Sequence, residues 1–323
     1  MSIELLPSNR PPSRFYRGGA RIGRFRGEAV DATHEPEDWV GSATTIAGEA
    51  QLGLSSLGDG RRVRDAIAAD PEHWLGPDHV ATFGADPMLL VKLLDAGQRL
   101  PVHAHPDGDF AARHLGTAHG KAEAWYILRG GTVHVGLTRD VSVEEVRALV
   151  ESQDTGRMLE LLHEVPVVPG DVVFVPPGTL HAIGEGVFLL EVQEPEDLSI
   201  LLEWSGFDLD GPADGHLGLG FDIALEAVDR RGRSAEEVDA WRRSAPGRPS
   251  VLPEAADEYF RIERPRRPAI LEPGFAIAVV TEGELRVGEL TAPRGSTLLI
   301  PFAAGAVEVS GDGELLVCRP PRP

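Results

Sequence analysis

The chain has 323 residues, of which 42% are hydrophobic and 25% charged, a composition typical of a globular protein long enough for about two domains. Its 31 basic and 51 acidic residues give a net charge of −20 at pH 7, which argues against a nucleic-acid partner and against binding to an anionic membrane. A single cysteine, no secretory signal and no apolar run of the ~20 residues that span a membrane favour a cytoplasmic protein that acts on a small molecule, with its oligomeric state left open.

The N-terminal part of the chain mixes short elements with turns. Residues 1–30 are rich in proline, glycine and arginine and predict short strand-like pieces. Their arginines either form a solvated face or pair with acidic loops. The segment GSATTIAG (41–48) predicts a strand. Residues 61–70 predict a helix that ends at the next proline, and residues 73–79 predict a loop.

A continuous apolar run follows, MLLVKLLDA at 88–96. A run of this length, bounded by proline and glycine, predicts a buried strand. Lys92 interrupts it. A lysine inside a buried strand either extends its ammonium group to a cleft or belongs to a functional site.

The middle of the chain alternates between strands and helices. Residues 121–138 alternate in hydrophobicity around a Gly-Gly pair, which predicts two strands and a turn. Ser142 and Glu145 have the spacing of a helix capping box, and residues 156–163 predict a second short helix. Residues 165–195 return to short strands separated by proline and glycine, a pattern typical of a β-barrel or jelly roll.

The composition changes again after residue 205. Residues 206–257 predict a connection made of loops and short helices, whereas residues 258–323 return to a strand pattern. We therefore predict a mostly β protein with two barrel domains. The first, at 1–205, carries helical insertions, and the second, at 258–323, is smaller.

Four side chains of the first predicted barrel have the chemistry of metal ligands. His103 and His105 alternate along a strand, so both point to the same face. Glu123 opens a later strand, and His181 follows a Pro-x-Gly turn. Three neutral imidazoles and one carboxylate suit Zn²⁺, and also Fe²⁺ or Mn²⁺. This ligand set carries one negative charge, so a divalent ion leaves the site net positive and able to polarise a carbonyl group.

The spacing of these residues resembles the two motifs of the cupin family, G-x5-H-x-H with E-x6-G, and G-x5-P-x-G-x2-H. The chain matches both motifs at every position. The matching residues are Gly97, His103, His105, Glu123 and Gly130 for the first motif, and Gly170, Pro176, Gly178 and His181 for the second. The resemblance implies a jelly-roll barrel around one metal ion. The gap between His105 and Glu123 is longer than in most cupins.

Segments around this long gap resemble the type I mannose-6-phosphate isomerases in their short bacterial form. The segments are LLVKLLDA (89–96), VHAHP (102–106), GKAEAWYIL (120–128), VPPGTLHAIGEG (175–186) and LLEVQEP (189–195). The resemblance implies a metal-dependent enzyme that interconverts mannose 6-phosphate and fructose 6-phosphate through an enediol. It also implies one divalent ion per chain, Zn²⁺ before Fe²⁺ or Mn²⁺. Its ligands would be His103, His105, Glu123 and His181.

The same resemblance implies which residues act on the sugar. Lys121 lies on the strand face of Glu123 and matches a lysine that lines the sugar-phosphate pocket of the family. Isomerisation through an enediol also needs a base that moves a proton between C1 and C2. The candidates are Glu191, Lys92 and Asp109, and Glu191 has the alternative role of a buried partner for Lys92. We assign Lys121, Glu191 and Lys92 to catalysis.

Two positions depart from the family pattern. His103 stands where the family has a glutamine, which adds an imidazole ligand and restores the general cupin motif. After LLEVQ the family continues into a segment with an arginine, whereas this chain has Leu201 at about that place. A sugar without a phosphate group is therefore the alternative substrate.

The C-terminal unit repeats part of the second motif. Five residues separate Gly295 from Pro301, as in the first unit, but Ala306 stands at the position that corresponds to His181. This spacing predicts a degenerate cupin domain that has lost its metal ligand and covers the first barrel.

Two functions of other classes stay open from the residues alone. A non-catalytic sugar-binding cupin would bind a metal or a sugar without isomerising any hexose. An Fe²⁺ dioxygenase would consume oxygen, since three histidines and a glutamate also serve that chemistry.

Overall fold

The computed structural model describes residues 3–29 and 33–323, and the strands of this part of the chain form three antiparallel sheets. The strands are β1 (Glu4–Leu5), β2 (Glu37–Val40), β3 (Leu90–Asp95), β4 (His103–Ala104), β5 (Glu123–Arg129), β6 (Gly131–Leu137), β7 (Leu162–Val167), β8 (Val172–Val175), β9 (His181–Ile183), β10 (Phe188–Gln193), β11 (Ile200–Leu201), β12 (Arg261–Glu263), β13 (Ala269–Leu271), β14 (Ala276–Val287), β15 (Leu290–Pro293), β16 (Thr297–Ile300) and β17 (Val307–Arg319).

Short helices connect these strands and cover their ends. They are α1 (Ala20–Arg26), α2 (Val63–Ala69), α3 (Pro71–Leu75), α4 (Pro77–Phe83), α5 (Gly108–His114), α6 (Val143–Ser152), α7 (Thr155–Glu160), α8 (Gly211–Asp214), α9 (Phe221–Ala224) and α10 (Ala235–Ala240), with single 3-10 turns at Leu225–Ala227, Glu254–Ala256 and Phe302–Ala304.

Two of the sheets enclose the first barrel. One has the strand order β2-β3-β10-β5-β8 and the other has the order β11-β4-β9-β6-β7. Their inner faces pack together in a core that includes Trp125, Ile127, Val135 and Ile183. The mostly β jelly roll with helical insertions that the motifs predict is therefore confirmed.

Strand β10 is buried along its whole length. Leu189 packs into the core of the first barrel, whereas Leu190 packs outward in a cluster that includes Phe260 of the C-terminal unit. A strand that is covered on both faces has no solvated side, which explains the mostly apolar sequences of β3 and β10. Lys92 and Glu191 interrupt these runs and line a cavity inside the first barrel, and Asp95 ends β3.

The third sheet forms the C-terminal unit. Its order is β1-β16-β14-β17-β12, with β13 on β17 and β15 on β14. Val280, Leu298 and Leu315 belong to its apolar core. Strand β1 pairs with β16, so the first residues of the predicted 1–205 domain join the sheet of the C-terminal one. The domain boundaries near 206 and 258 otherwise stay predictions.

The N-terminal part of the chain differs from two of the sequence predictions. Residues 20–26, expected as strand-like, form helix α1 because Ile22 and Phe25 have the helical i, i+3 spacing and both pack into the core. Residues 41–48, expected as a strand, form turns and irregular backbone, and strand β2 lies immediately before them.

The helices predicted from the sequence elsewhere in the chain agree with the structure, with one exception. The helix predicted at 61–70 is α2, and the Ser142 hydroxyl accepts a hydrogen bond from the backbone N–H of Glu145 at the start of α6. The loop expected at 73–79 is instead helical, because Pro71 and Pro77 occupy the first turns of α3 and α4, where proline loses no hydrogen bond. Within the described residues, none of the helices has the length and hydropathy of a membrane span.

Candidate metal centre

The four predicted metal ligands meet inside the first barrel and come from both of its sheets. His103 in β4 and His181 in β9 are direct cross-strand partners. His105 follows β4, and Glu123 is the first residue of β5 in the facing sheet. Gly178 has a φ of 79°, a left-handed conformation that favours glycine and makes the turn before His181. All four side chains are at most 7% exposed.

Distances within this group suit a single ion. One ring nitrogen from each of His103, His105 and His181 lies within 4.8 Å of the others. Glu123 is on the same centre, since its Oε2 lies 3.1 Å from His105 Nε2 and its Oε1 lies 3.2 Å from His181 Nε2. Ligand atoms of a tetrahedral zinc ion lie about 3.3 Å apart. The group can therefore hold a metal ion.

Backbone contacts orient each imidazole toward the centre. Each Nδ1 lies 2.6–2.8 Å from a backbone carbonyl oxygen, and the pairs are His103 with Pro101, His105 with Leu198 and His181 with Thr179. A carbonyl oxygen only accepts, so each Nδ1 donates a proton and each Nε2 presents a lone pair. His181 Nε2 is buried without a hydrogen-bond partner among the described residues. Such an arrangement fits metal ligation.

The electrostatics favour the charge states that a metal needs. Burial, and then the neighbouring His181, hold the pKa of His103 well below its usual value. Burial and the Lys121 ammonium lower the pKa of His105 to about 3. Burial raises the pKa of Glu123, but Lys121 and the imidazoles outweigh it and hold that pKa well below the usual value. Neutral imidazoles and an ionised carboxylate are the forms that bind cations.

Lys121 contacts the metal ligands directly. Its Nζ lies 2.9 Å from His105 Nε2 and 2.5 Å from Glu123 Oε2. A single residue, Ala122, separates Lys121 from Glu123, so both side chains point to the same side of the chain. An ammonium group has three donors, which leaves one for a further acceptor in the cavity.

Lys92 and Glu191 form a cross-strand pair beside the centre. They are register partners on β3 and β10, and their charged groups lie 3.5 Å apart. Lys92 Nζ also lies 4.6 Å from the centroid of the Trp39 ring. Burial and Glu123 raise the pKa of Glu191, although Lys92 acts in the opposite direction. Glu191 is thus held in place as a buried partner of Lys92, and it is also a carboxylate of increased basicity.

The cavity around these groups is small. Its volume is about 50 Å³, which is room for one or two water molecules and not for a hexose phosphate. Its wall includes Lys92, Lys121 and Glu191 together with His103 and Glu123. Side chains at its mouth must move before a sugar can bind.

A network that no sequence motif marks forms part of the same wall. Glu37 accepts hydrogen bonds from the Tyr16 hydroxyl at 2.6 Å, the Trp39 indole at 2.6 Å and Arg14 Nε at 3.1 Å. Burial raises the pKa of Glu37, but Arg14 and Lys92 outweigh it and hold the pKa at about 2. The only sequence signal was the N-terminal arginine cluster. Its interpretation as a partner of acidic groups is correct for Arg14.

Several other candidates lie away from the centre. Asp109, one of the three candidates for the base, is exposed on α5 and does not line the cavity that Lys92 and Glu191 line. His119, which adjoins Gly120 and Lys121 in the sequence, places Nε2 at 2.8 Å from Asp86 Oδ2.

Leu201, which stands at about the place of the family's arginine, lines the cavity, and its side chain offers no charge there.

The C-terminal unit has no equivalent centre. Pro301 follows β16, and Ala306 directly precedes β17. Within the described residues, no further group of three histidine, cysteine or acidic side chains has the spacing of metal ligands. This agrees with a degenerate second cupin.

Comparisons with known proteins point in one direction. No family model matches the chain. The chain is 31% identical over 251 residues to the mannose-6-phosphate isomerase ManA of Bacillus subtilis, covering 71% of this chain and 74% of the relative. The solved mannose 6-phosphate isomerase of Bacillus subtilis superimposes with a TM-score of 0.71 at 22% identity and covers 99% of this chain and 100% of its own. A mannose 6-phosphate isomerase bound with zinc and yttrium reaches 0.74 at 16% identity, with the same coverage.

Proposed function

The chain belongs to the mannose-6-phosphate isomerase family, and we propose that it interconverts mannose 6-phosphate and fructose 6-phosphate at the centre of its first barrel. The observation that carries this proposal is the cluster of three imidazoles and Glu123 beside a buried cavity, whose wall includes His103, Glu123 and the Glu191–Lys92 pair. The reaction needs an electrophile at the sugar oxygens and a base at the sugar carbons. The proposed site residues can supply both.

We propose one divalent ion per chain, Zn²⁺ before Fe²⁺ or Mn²⁺, on His103, His105, Glu123 and His181. When bound, such an ion supplies a Lewis acid for the oxygens on C1 and C2 of the open-chain sugar. The donor set supports this choice, because three oriented imidazole lone pairs and one carboxylate match the ligands that zinc prefers.

We assign the base to Glu191. Its carboxylate removes the proton from C2 of the aldose and returns it to C1, while a proton moves from O2 to O1. The carbon skeleton passes through an enediol, and atoms and charges balance. Lys92 positions Glu191 by its ion pair at 3.5 Å. His105 Nε2 has a single lone pair, which a bound ion would take, so Lys121 would then keep its contact with Glu123 and offer its remaining donors to a sugar oxygen.

A turnover assay tests this proposal. We expect the metal-loaded protein to convert mannose 6-phosphate to fructose 6-phosphate, and a chelator to abolish the activity until Zn²⁺ is restored. Asp109→Asn, on the exposed surface of α5, is the matched control for acidic substitutions and should retain full activity. Metal-loaded protein without turnover in either direction would overturn the assignment.

A second substrate class has its own support in the cavity. Each cation of the wall faces a carboxylate: Arg14 with Glu37, Lys92 with Glu191 and Lys121 with Glu123. A cation that is already paired attracts a phosphate less strongly, and Leu201 adds none. An unphosphorylated sugar is therefore the alternative substrate. Comparing kcat/KM for mannose 6-phosphate with that for free mannose decides between them, and a preference for free mannose would favour the alternative.

A further inference from the structure

A large cleft lies away from the metal centre, between helices α3 and α4 and the C-terminal sheet. Its volume is about 850 Å³, within the range of sites that bind small molecules. Its wall combines side chains from α3, α4, β12, the end of β17 and the segment at 264–275. We refer to it as the arginine cleft, because its charged lining consists mainly of Arg248, Arg261, Arg264, Arg266, Arg319 and Arg322.

The charge of this cleft is opposite to that of the protein. Its six arginines face three acidic side chains, Asp78, Glu263 and Glu272, whereas the chain as a whole carries a net charge of −20. A concave surface with walls of one sign concentrates ions of the opposite sign. The excess of arginine in this lining favours an anion, in contrast to the net negative charge of the chain.

Part of the positive charge is compensated within the fold, since Arg248 lies 2.5 Å from Asp257 and Arg264 lies 3.6 Å from Glu314. Arg261 and Arg319 share the carboxylate of Glu263. Arg261 Nη1 lies 3.2 Å from Oε1, and Arg319 Nε lies 3.1 Å from Oε2. Burial lowers the pKa of Arg261, and the nearby Arg319 and Arg322 lower it further against the effect of Glu263. Guanidinium groups that repel one another at a half-buried position gain from an added anion.

Two arginines have free donors. Arg266 and Arg322 are exposed at the edge of the cleft and make no hydrogen bond or ion pair with any residue in the described part of the chain. A guanidinium group presents a planar fork of N–H donors that matches the oxygens of a phosphate group. Phosphate is thus the anion that this lining fits best.

The cleft also has an apolar wall. Leu75 and Phe275 are buried behind it, and Phe302 is partly exposed to it. An aromatic or aliphatic group that packs against Phe302 removes apolar surface from water. A ligand with both an anionic and an apolar part would use the whole lining.

We propose that the arginine cleft is a binding site for a small organic phosphate, separate from the metal centre. The phosphate group is held by Arg261, Arg266 and Arg322, and the apolar body of the ligand packs against the accessible part of Phe302. This proposal does not depend on the reaction in the first barrel.

Calorimetric titration with adenosine 5′-monophosphate and with inorganic phosphate, at low ionic strength, tests the site. We expect the nucleotide to bind more tightly than inorganic phosphate because its base packs on the apolar wall. The double variant Arg266→Gln/Arg322→Gln should weaken nucleotide binding about tenfold or more. Both positions are exposed and without internal partners, so the fold does not depend on them.

A matched control separates a site from a general charge effect. Arg243→Gln removes a 73% exposed arginine outside the cleft and should change the affinity less than twofold. Equal affinity of the double variant and the unmodified protein, or an equal loss with Arg243→Gln, would overturn the proposal. A crystal soaked with the nucleotide gives a second readout, and a phosphate group found in the barrel cavity instead of on Arg261 would contradict the site.

Discussion

The two barrels of this chain share a turn spacing and differ in what fills their interiors. The inner wall of the first carries Lys92, Glu123 and Glu191 around a small charged cavity. The interior of the second is filled by apolar side chains such as Val280 and Leu298. Burial of charged groups costs free energy, whereas burial of apolar groups stabilises. One architecture therefore supports either chemistry or stability, according to the side chains that point inward.

The outer face of the first barrel packs against the second barrel. Leu190 of β10 packs in one cluster with Ile277 of β14 and Phe260. The second barrel therefore buries the apolar back of the sheet that carries the catalytic candidates. We interpret the degenerate barrel as a support that offsets the cost of a charged interior in its neighbour.

The most severe test of this contrast removes a proposed ligand from the first barrel and adds an imidazole to the second. We expect His181→Ala to lower metal affinity at least about a hundredfold and to abolish isomerisation, since it removes one of four ligands. Ala306→His places an imidazole at the corresponding position of the second barrel, whose segment 258–323 contains no histidine of its own. It should leave the metal content at one ion per chain. Metal analysis and turnover measure both, and an unchanged metal content in His181→Ala would contradict the proposed ligand set.

The next largest effect concerns the base. Glu191→Gln keeps the shape of the side chain and removes its charge. We expect kcat to fall by roughly 10²–10⁴-fold, as for loss of a general base, with the metal content unchanged. Because Lys92 also lies 3.9 Å from Glu37, it keeps one carboxylate partner in this variant. A variant with wild-type kcat would remove Glu191 from the mechanism.

A substitution in the second barrel should affect stability and not chemistry. Leu298 is fully buried in the C-terminal core. We expect Leu298→Ala to reduce the free energy of unfolding by about 2–5 kcal/mol, with kcat unchanged at temperatures where the protein stays folded. Ile270→Ala, at a 65% exposed position of the same sheet, is the matched control. Chemical denaturation compares them, and equal losses for the two variants would refute the supporting role.

The smallest expected effect is a change in how the free energy of unfolding depends on pH. We assign it to the first barrel, since the segment 258–323 contains no histidine. The hydrogen bond to Asp86 raises the pKa of His119 against the effect of burial, and Glu194 and Glu196 raise it further. A histidine with a raised folded-state pKa stabilises fully below its unfolded value of about 6.5, and this stabilisation is lost as the pH rises through the folded value. We expect His119→Ala to flatten the fall in unfolding free energy between about pH 6 and 8. Urea titrations at several pH values measure the unfolding free energy, and the same pH dependence in His119→Ala and the unmodified protein would contradict this.

Much of the candidate site was predictable because strand geometry is local. Alternation places His103 and His105 on one face, and a fixed turn brings His181 to a constant offset, so spacing alone identifies them. The same locality explains the errors. The segment at 20–26 has residues that fit a strand or a helix, and only the contact of Ile22 and Phe25 with the core selects the helix.

Sequence alone predicts the four candidate metal ligands, the jelly-roll class and the alanine at the ligand position of the second unit, because motif spacing and short periodicities encode them. Only the tertiary structure decided which distant residues complete the cavity. Arg14 and Glu37 reach it from the N-terminal part of the chain, and the register of β3 against β10 pairs Lys92 with Glu191. These contacts depend on strand register and packing between segments far apart in the chain, which no local pattern records.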